Sequence, residues 1–244
     1  RLSGVSSHTT AALHWGWAVK AAPSYPHVTV PKHRTIDAQR RAGVTLHFRD
    51  LGAQDVVDGW VTDRVRTVID CCLDLPFDEA LAVFDSSWRM GLKPKEVQLA
   101  ALALPPRSRN RVLTVARAAD ARAANPFESV LRAIASAVPG LHVQPQVSIS
   151  DDGFFARVDL ADEALRIVIE AESLEFHGSR GAFDRDCRRY NDLVIRGWLV
   201  LRFTWVQVMF EPGLVAATLR AAVEQRDGRT RRAGPISSRA VRSA

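Results

Sequence analysis

Four short apolar runs, the last two parted by a charged stretch of helical period, constrain this chain more than any other feature. They read LHVQPQVSI from Leu141, FFARVDL from Phe154, LRIVIEAE from Leu165 and WLVLRFTW from Trp198. Each is short and carries β-branched or aromatic residues, which is the pattern of strands. Asp151-Asp152-Gly153 and the Asp162-Glu163 pair supply turns between the first three. The stretch from about Gly181 to Arg196 sets Phe183, Cys187, Tyr190 and Val194 on one helical face and Arg185, Arg189 and Asp192 on another. Ahead of the strands, Asn125 caps a helix with Pro126 at its first position, and Pro139-Gly140 ends it. A closing helix runs from Pro212 to Gln225. The expected order is α-β-β-β-α-β-α.

The third run ends in Glu170 and Glu172, which sit two apart and so share one face of a strand. Bare carboxylates side by side repel each other and are costly to desolvate. A divalent cation relieves both problems, and oxygen-only ligands favour Mg²⁺, Mn²⁺ or Ca²⁺. A strand end reaching water accommodates the same pair without any ligand. A hairpin turning at Asp162-Glu163 sets Asp159 opposite Arg166. That leaves it four strand residues, roughly 13 Å, from Glu170, so twist or a bulge has to bring the acids together.

Asp159, then Glu170-x-Glu172, then His177, then a helix with Asp and Arg, then Gly197-Trp198-x-Val200-Leu201-Arg202-Phe203 form a sequence of features. This combination resembles the Vsr-like endonuclease domains, small relatives of the PD-(D/E)XK nucleases, from about Asn125 to Gln225. The resemblance implies a restriction-endonuclease-like αβββαβ domain and a Mg²⁺ (or Mn²⁺) dependent attack on DNA. It implies that Asp159 and Glu170 hold the metal, with Glu128 on the preceding helix completing the shell or serving the first helical turn. His177 becomes a general base or relay, or else a packing residue beside Gly178. Arg185, Arg189 and Arg202 become phosphate contacts, and an ion pair with one of the acids is the other reading of Arg202. Two positions depart from the pattern. Glu172 stands where the nucleases have Lys and the Vsr-like relatives Asp, and Ser173 replaces a Gly.

The first half of the chain reads as helices with a few short strands. His27–Val30, bounded by Pro26 and Pro31, and Val44–Phe48 are strand candidates, and a hairpin between them gathers Lys32, His33, Arg34, Arg40 and Arg41 into a basic rim or a solvated loop. Helices follow from a Thr62 N-cap to Pro76, from Phe77 to Met90 with Gly91 as its stop, from near Lys95 to Pro105, and from Arg107 to Ala123. Ser6 to His14, Thr62 with Arg66-Thr67 and Asp70, and Phe84-Asp85 resemble AbiEi-type antitoxins. The resemblance implies DNA and a cognate toxin as partners. It also implies a winged-helix reader ahead of residue 1, and the chain opens where such a reader ends. Arg66, Thr67 and Asp70 equally read as a capped helix start with a local ion pair.

These readings define an α+β chain: an AbiEi-like region over 1–123, a Vsr-like nuclease-like domain over 124–225, and a basic tail over 226–244 read as a disordered end or a phosphate-contacting arm. The tail, with six arginines and one aspartate, holds +5 of the formal charge of +6, so net charge alone does not point to DNA. No apolar run is long enough to span a membrane and no signal peptide stands out, so a cytoplasmic protein is expected. Cys71, Cys72 and Cys187 make neither a disulfide framework nor a zinc site and are expected to pack as small apolar groups in a reducing cytoplasm. Three readings of function remain: a metal-dependent endonuclease or nickase, a catalytically degenerate DNA-binding antitoxin-like regulator, and a scaffold without nucleic acid.

Overall fold

The computed structural model describes residues 4–151, 153–172 and 180–232. Contacts divide the chain into Arg1–Ala133 and Ile134–Ala244, both mixtures of helix and sheet.

In the first unit β1 (Val5–Ser6) leads directly into α1 (His8–His14). β2 (His27–Val30) follows, then α2 (Ala38–Arg41), β3 (Thr45–Phe48), β4 (Val56–Val57) and β5 (Val61–Thr62). The sheet order is β3-β2-β1-β5-β4. β2 and β3 run parallel, with His27 opposite Thr45 and Thr29 opposite His47. The expected hairpin is therefore corrected. Parallel neighbours need a crossover, and residues 31–44, with α2 inside them, provide it.

α3 (Arg64–Asp74), α4 (Phe77–Arg89), α5 (Pro94–Ala101) and α6 (Pro106–Ala118) build the core of this unit. Trp17, Val68, Leu81, Phe84, Val97 and Val112 are buried together there. Cys71 and Cys72 pack among them as free thiols, and burial pushes both thiols up. The cap of α3 is Asp63, not Thr62: its carboxylate takes the N–H of Val65 at 2.8 Å and of Arg66 at 3.2 Å. Thr62 instead shares a hydrogen bond with the Thr67 hydroxyl. Gly91 ends α4 with φ +96°, a conformation that glycine adopts without strain. α7 (Pro126–Ser136) straddles the division of the chain. Its first turn is capped by Asn125, whose side-chain oxygen accepts from the Glu128 N–H at 3.0 Å.

The second unit is a four-stranded sheet in the order β6 (Gln144–Asp151), β7 (Phe154–Asp162), β8 (Ile167–Glu172), β9 (Leu199–Thr204). The first three strands form an antiparallel meander. α8 (Arg180–Ile195) then carries the chain over to β9, which lies parallel to β8. Leu193 of α8 is fully buried, and Val194, expected on the core face, is 57% exposed. β9 stops at Thr204 because its side chain and Gln207 cap a short α9 (Trp205–Phe210). α10 (Pro212–Arg232) runs past Gln225 into the stretch expected as a disordered tail, and residues 233–244 lie outside the described ones.

The turn between β7 and β8 positions the site. It takes up four residues, Glu163 to Arg166, with Arg166 in the left-handed region at φ +50°. Asp162 organises it, accepting from the Leu165 N–H at 3.0 Å with one oxygen and from the His142 N–H at 2.7 Å with the other. Leu160 consequently faces Ile169. Just past that last register pair the two strands are joined through side chains, the Asp159 N–H reaching a Glu170 oxygen and the Ala171 N–H an Asp159 oxygen. The expected misalignment with Arg166 came from placing the turn two residues too early.

Candidate carboxylate site

One line of residues crosses three strands of the second sheet: Asp159 on β7, Glu170 on β8 and Arg202 on β9, the last two being register partners. Glu170 is buried, with one oxygen 3.4 Å from the Asp159 N–H and the other accepting from Arg189 at 2.7 Å. Asp159 accepts from the Ala171 N–H at 2.9 Å and weakly from the Gln146 amide at 3.4 Å. Burial, reinforced by the Asp159 charge alongside, pushes the Glu170 carboxyl up to about 8, against the opposing pull of Arg189. Near neutral pH this pair shares less than two full negative charges.

Glu172 shares the face of Glu170, as its spacing predicts, but its charge is spent elsewhere. It accepts from the Tyr190 hydroxyl at 2.7 Å and from Arg202 at 2.7 and 2.9 Å. Burial and the nearby acids raise the Tyr190 hydroxyl, which stays protonated and donates. The guanidinium groups of Arg189 and Arg202 also lie over the Tyr190 ring, at 4.6 and 4.2 Å from its centre. Of the three arginines expected to meet phosphate, Arg189 holds Glu170, Arg202 holds Glu172, and Arg185 is exposed on α8 with no ion-pair partner among the described residues. His177 and Ser173 lie outside the described residues.

Glu128 belongs to the first unit. One of its oxygens accepts from the Ala124 N–H at 2.9 Å and the other from the Asn125 amide at 3.1 Å. That is the first-turn role which stood beside the metal role in the sequence reading. Sequence reasoning missed Gln146 and Tyr190. Gln146 precedes the run of buried positions on β6 and has a positive φ, neither of which its residue type announces. Tyr190 read as a core aromatic because its ring does pack against buried neighbours.

Asp159 and Glu170 suit a small hard cation: both donors are oxygen, and their mutual repulsion is what such an ion removes. Among the described residues, the group of three metal-ligating side chains close enough to share an ion lies elsewhere, at His8, His27 and His47.

That second cluster sits where β1, β2, β3 and α3 meet. The fully buried His8 accepts from, or donates to, the Ser7 hydroxyl at 2.8 Å with Nδ1, and its Nε2 lies 2.8 Å from Asp74 Oδ2. His47 Nδ1 approaches the same Asp74 oxygen at 3.3 Å, and His47 Nε2 meets His27 Nδ1 at 2.9 Å. Burial lowers His8 and brings His27 down to about 4, helped at His27 by the neighbouring imidazoles. Burial alone would raise Asp74, but hydrogen bonds from His47 and His8 and the Arg49 charge override it and hold the carboxylate far below its usual range.

No family model, no curated protein and no solved structure matches this chain.

Proposed function

We propose that residues 134–244 form a Mg²⁺- or Mn²⁺-dependent endonuclease domain that hydrolyses or nicks DNA, in a defence, repair or toxin–antitoxin setting. The observation that carries this reading is the meeting of Asp159 and Glu170 where β7 and β8 adjoin, each carboxylate taking a backbone N–H of the other strand, with Glu170 buried and its carboxyl raised to about 8. A buried acid held next to another acid is a poor structural choice and a good cation site. Asp159 and Glu170 are the residues that would hold the ion. Its contribution would be to neutralise phosphodiester charge and acidify water. Arg189 holds Glu170 in place and would offer a positive charge to a phosphate bound beside the ion. Tyr190 and Arg202 fix Glu172 and keep β8 and β9 aligned behind the acids. His177 is the general base of this proposal.

One observation favours a second reading. The acid that the nuclease pattern places third, Glu172, is paired with the Arg202 guanidinium and accepts a hydrogen bond from Tyr190. A domain that binds DNA without cutting it, as a regulator paired with a toxin, has no need of that acid. Incubation with supercoiled plasmid and Mg²⁺ or Mn²⁺, beside an Asp159→Ala/Glu170→Ala double variant, separates the two. Nicking that the variant loses supports the endonuclease. Salt-sensitive DNA binding with no cleavage under either ion sinks it in favour of the regulator.

A further inference from the structure

We propose that His8, His27 and His47 form a transition-metal site of the zinc class in the first unit, independent of the carboxylate pair on the second sheet. One ring nitrogen from each lies within 4.8 Å of those of the other two. The sheet register makes this convergence specific. His27 and Thr29 alternate onto one face of β2, and His47 stands opposite Thr29 on the parallel β3, so the two imidazoles meet diagonally. His8 arrives from the β1–α1 junction and stacks on His47 with ring centres 3.5 Å apart. Asp74, from the end of α3, places one carboxylate oxygen against both His8 Nε2 and His47 Nδ1. A carboxylate that takes the second N–H of a ligating imidazole is the usual outer partner at such sites, because it fixes the ring and makes the free nitrogen more basic.

With Asp74 occupied in this way, His47 Nε2 and His27 Nδ1 are left facing each other at 2.9 Å. Two nitrogens on a tetrahedral zinc ion are about 3.3 Å apart, from Zn–N bonds of about 2.0–2.1 Å. A few tenths of an ångström of opening, and loss of the proton now shared between them, turns this contact into two ligand bonds. Both nitrogens of His8 are engaged, Nδ1 with the Ser7 hydroxyl and Nε2 with Asp74, so His8 supplies the third bond by releasing Ser7 and keeping Asp74 as its outer partner. Imidazole donors select zinc, copper, nickel or cobalt, and not magnesium.

Simple packing does not account for the arrangement. Three imidazoles occupy a place that aliphatic side chains would fill at lower cost. His8 holds φ +51°, a left-handed backbone unusual for a residue that is not glycine. Beside the cluster, Asp70 is fully buried, takes Arg49 and Arg66 on one oxygen, and among the described residues has no hydrogen-bond partner for the other. Strain and unmet polar capacity concentrated at one junction are what a ligand site retains.

The test uses the full chain, stripped with chelator and titrated with Zn²⁺ by calorimetry and with Co²⁺ by visible absorption. The expected result is about one equivalent bound per chain with a four-coordinate Co²⁺ spectrum. Binding should weaken by roughly tenfold or more in both His27→Ala and His47→Ala, and excess Mg²⁺ should not compete. Zn²⁺ should also raise the melting temperature of the wild type. X-ray absorption of the zinc-loaded wild type needs no variant and reads the ligands directly, with imidazole scattering expected. Absence of binding to the folded wild type overturns the proposal, as does binding that both variants retain, or a zinc shell without imidazole.

Discussion

Arg202 closes on Glu172 with Nε and Nη2 both on the same carboxylate oxygen, at 2.9 and 2.7 Å. The parallel pairing of β8 and β9 sets this up: Glu170, not Glu172, is the register partner of Arg202, and the long guanidinium reaches diagonally to the next acid on the same face. Glu170, left without it, is served by Arg189 from α8.

Replacing Arg202 by alanine should therefore release Glu172. The pair is partly exposed, so the loss of stability should stay below about 1 kcal/mol. A third carboxylate then becomes available beside Asp159 and Glu170, and Mn²⁺ should bind more tightly than in the wild type, read from the free-ion electron paramagnetic resonance signal. Unchanged or weaker Mn²⁺ binding means that Glu172 does not belong to the metal site even when free.

Glu170 should leave a signature in the pH dependence of stability. Its carboxyl is raised from 4.5 to about 8 in the folded state. Between those values the native chain binds more protons than the unfolded chain, so stability falls as pH rises. The contribution is fully present below about 4.5 and is lost as pH passes through about 8. Urea midpoints of wild type and Glu170→Gln should lie close together at the acid end of that window and draw apart as pH rises, the wild type falling below the variant, and saturating Mn²⁺ should flatten the wild-type slope. A constant difference between the two proteins would mean that Glu170 is ionised throughout.

Much of the second unit was legible because its signals are local. Alternating and β-branched runs, Asn125-Pro126 and Pro139-Gly140 gave strands and a helix near their observed places. The turn was not: Asp162-Glu163 looks like a two-residue turn, whereas Asp162 ends β7 and organises a four-residue loop through side-chain hydrogen bonds to residues on both sides. That single misplacement separated Asp159 from Glu170. The histidine cluster was invisible for another reason. Its members are about twenty residues apart in sequence and meet only through a parallel strand pair, whose crossover leaves no short-range mark. Thr62 and Asp63 show the limit of capping rules, since either is a good cap and only the backbone decides.

His27 should give the opposite slope to Glu170. Its imidazole is lowered from 6.5 to about 4 by burial and by the adjacent His8 and His47. Between those values the unfolded chain binds the extra proton, so stability falls as pH drops. Its contribution is fully present above about 6.5 and is lost as pH falls toward about 4. Melting temperatures of the metal-free wild type should decline over that range more steeply than those of His27→Gln. Parallel declines would show that His27 titrates normally and stands in water.

Asp85 should be the most sensitive single position in the first unit outside the apolar core. It is fully buried on α4, accepts from the Asp120 N–H at 2.8 Å and the Ser129 hydroxyl at 2.7 Å, and pairs with Arg132 on α7. Arg132 in turn donates to the Ala118 carbonyl at the end of α6. This carboxylate thus ties α4 to α7 directly and, through Arg132, to the end of α6. Asp85→Ala leaves a buried guanidinium without its counter-charge, and a loss of roughly 3–5 kcal/mol is expected. Arg132→Met strands the carboxylate instead and should cost a similar amount. Because each variant leaves the other charge unpaired, Asp85→Ala/Arg132→Met should lose clearly less than the two single losses added together. Urea denaturation of the four proteins measures the cycle. Additive losses would mean that the two side chains act independently, each through its own backbone partners, and that the ion pair does not hold α4 to α7.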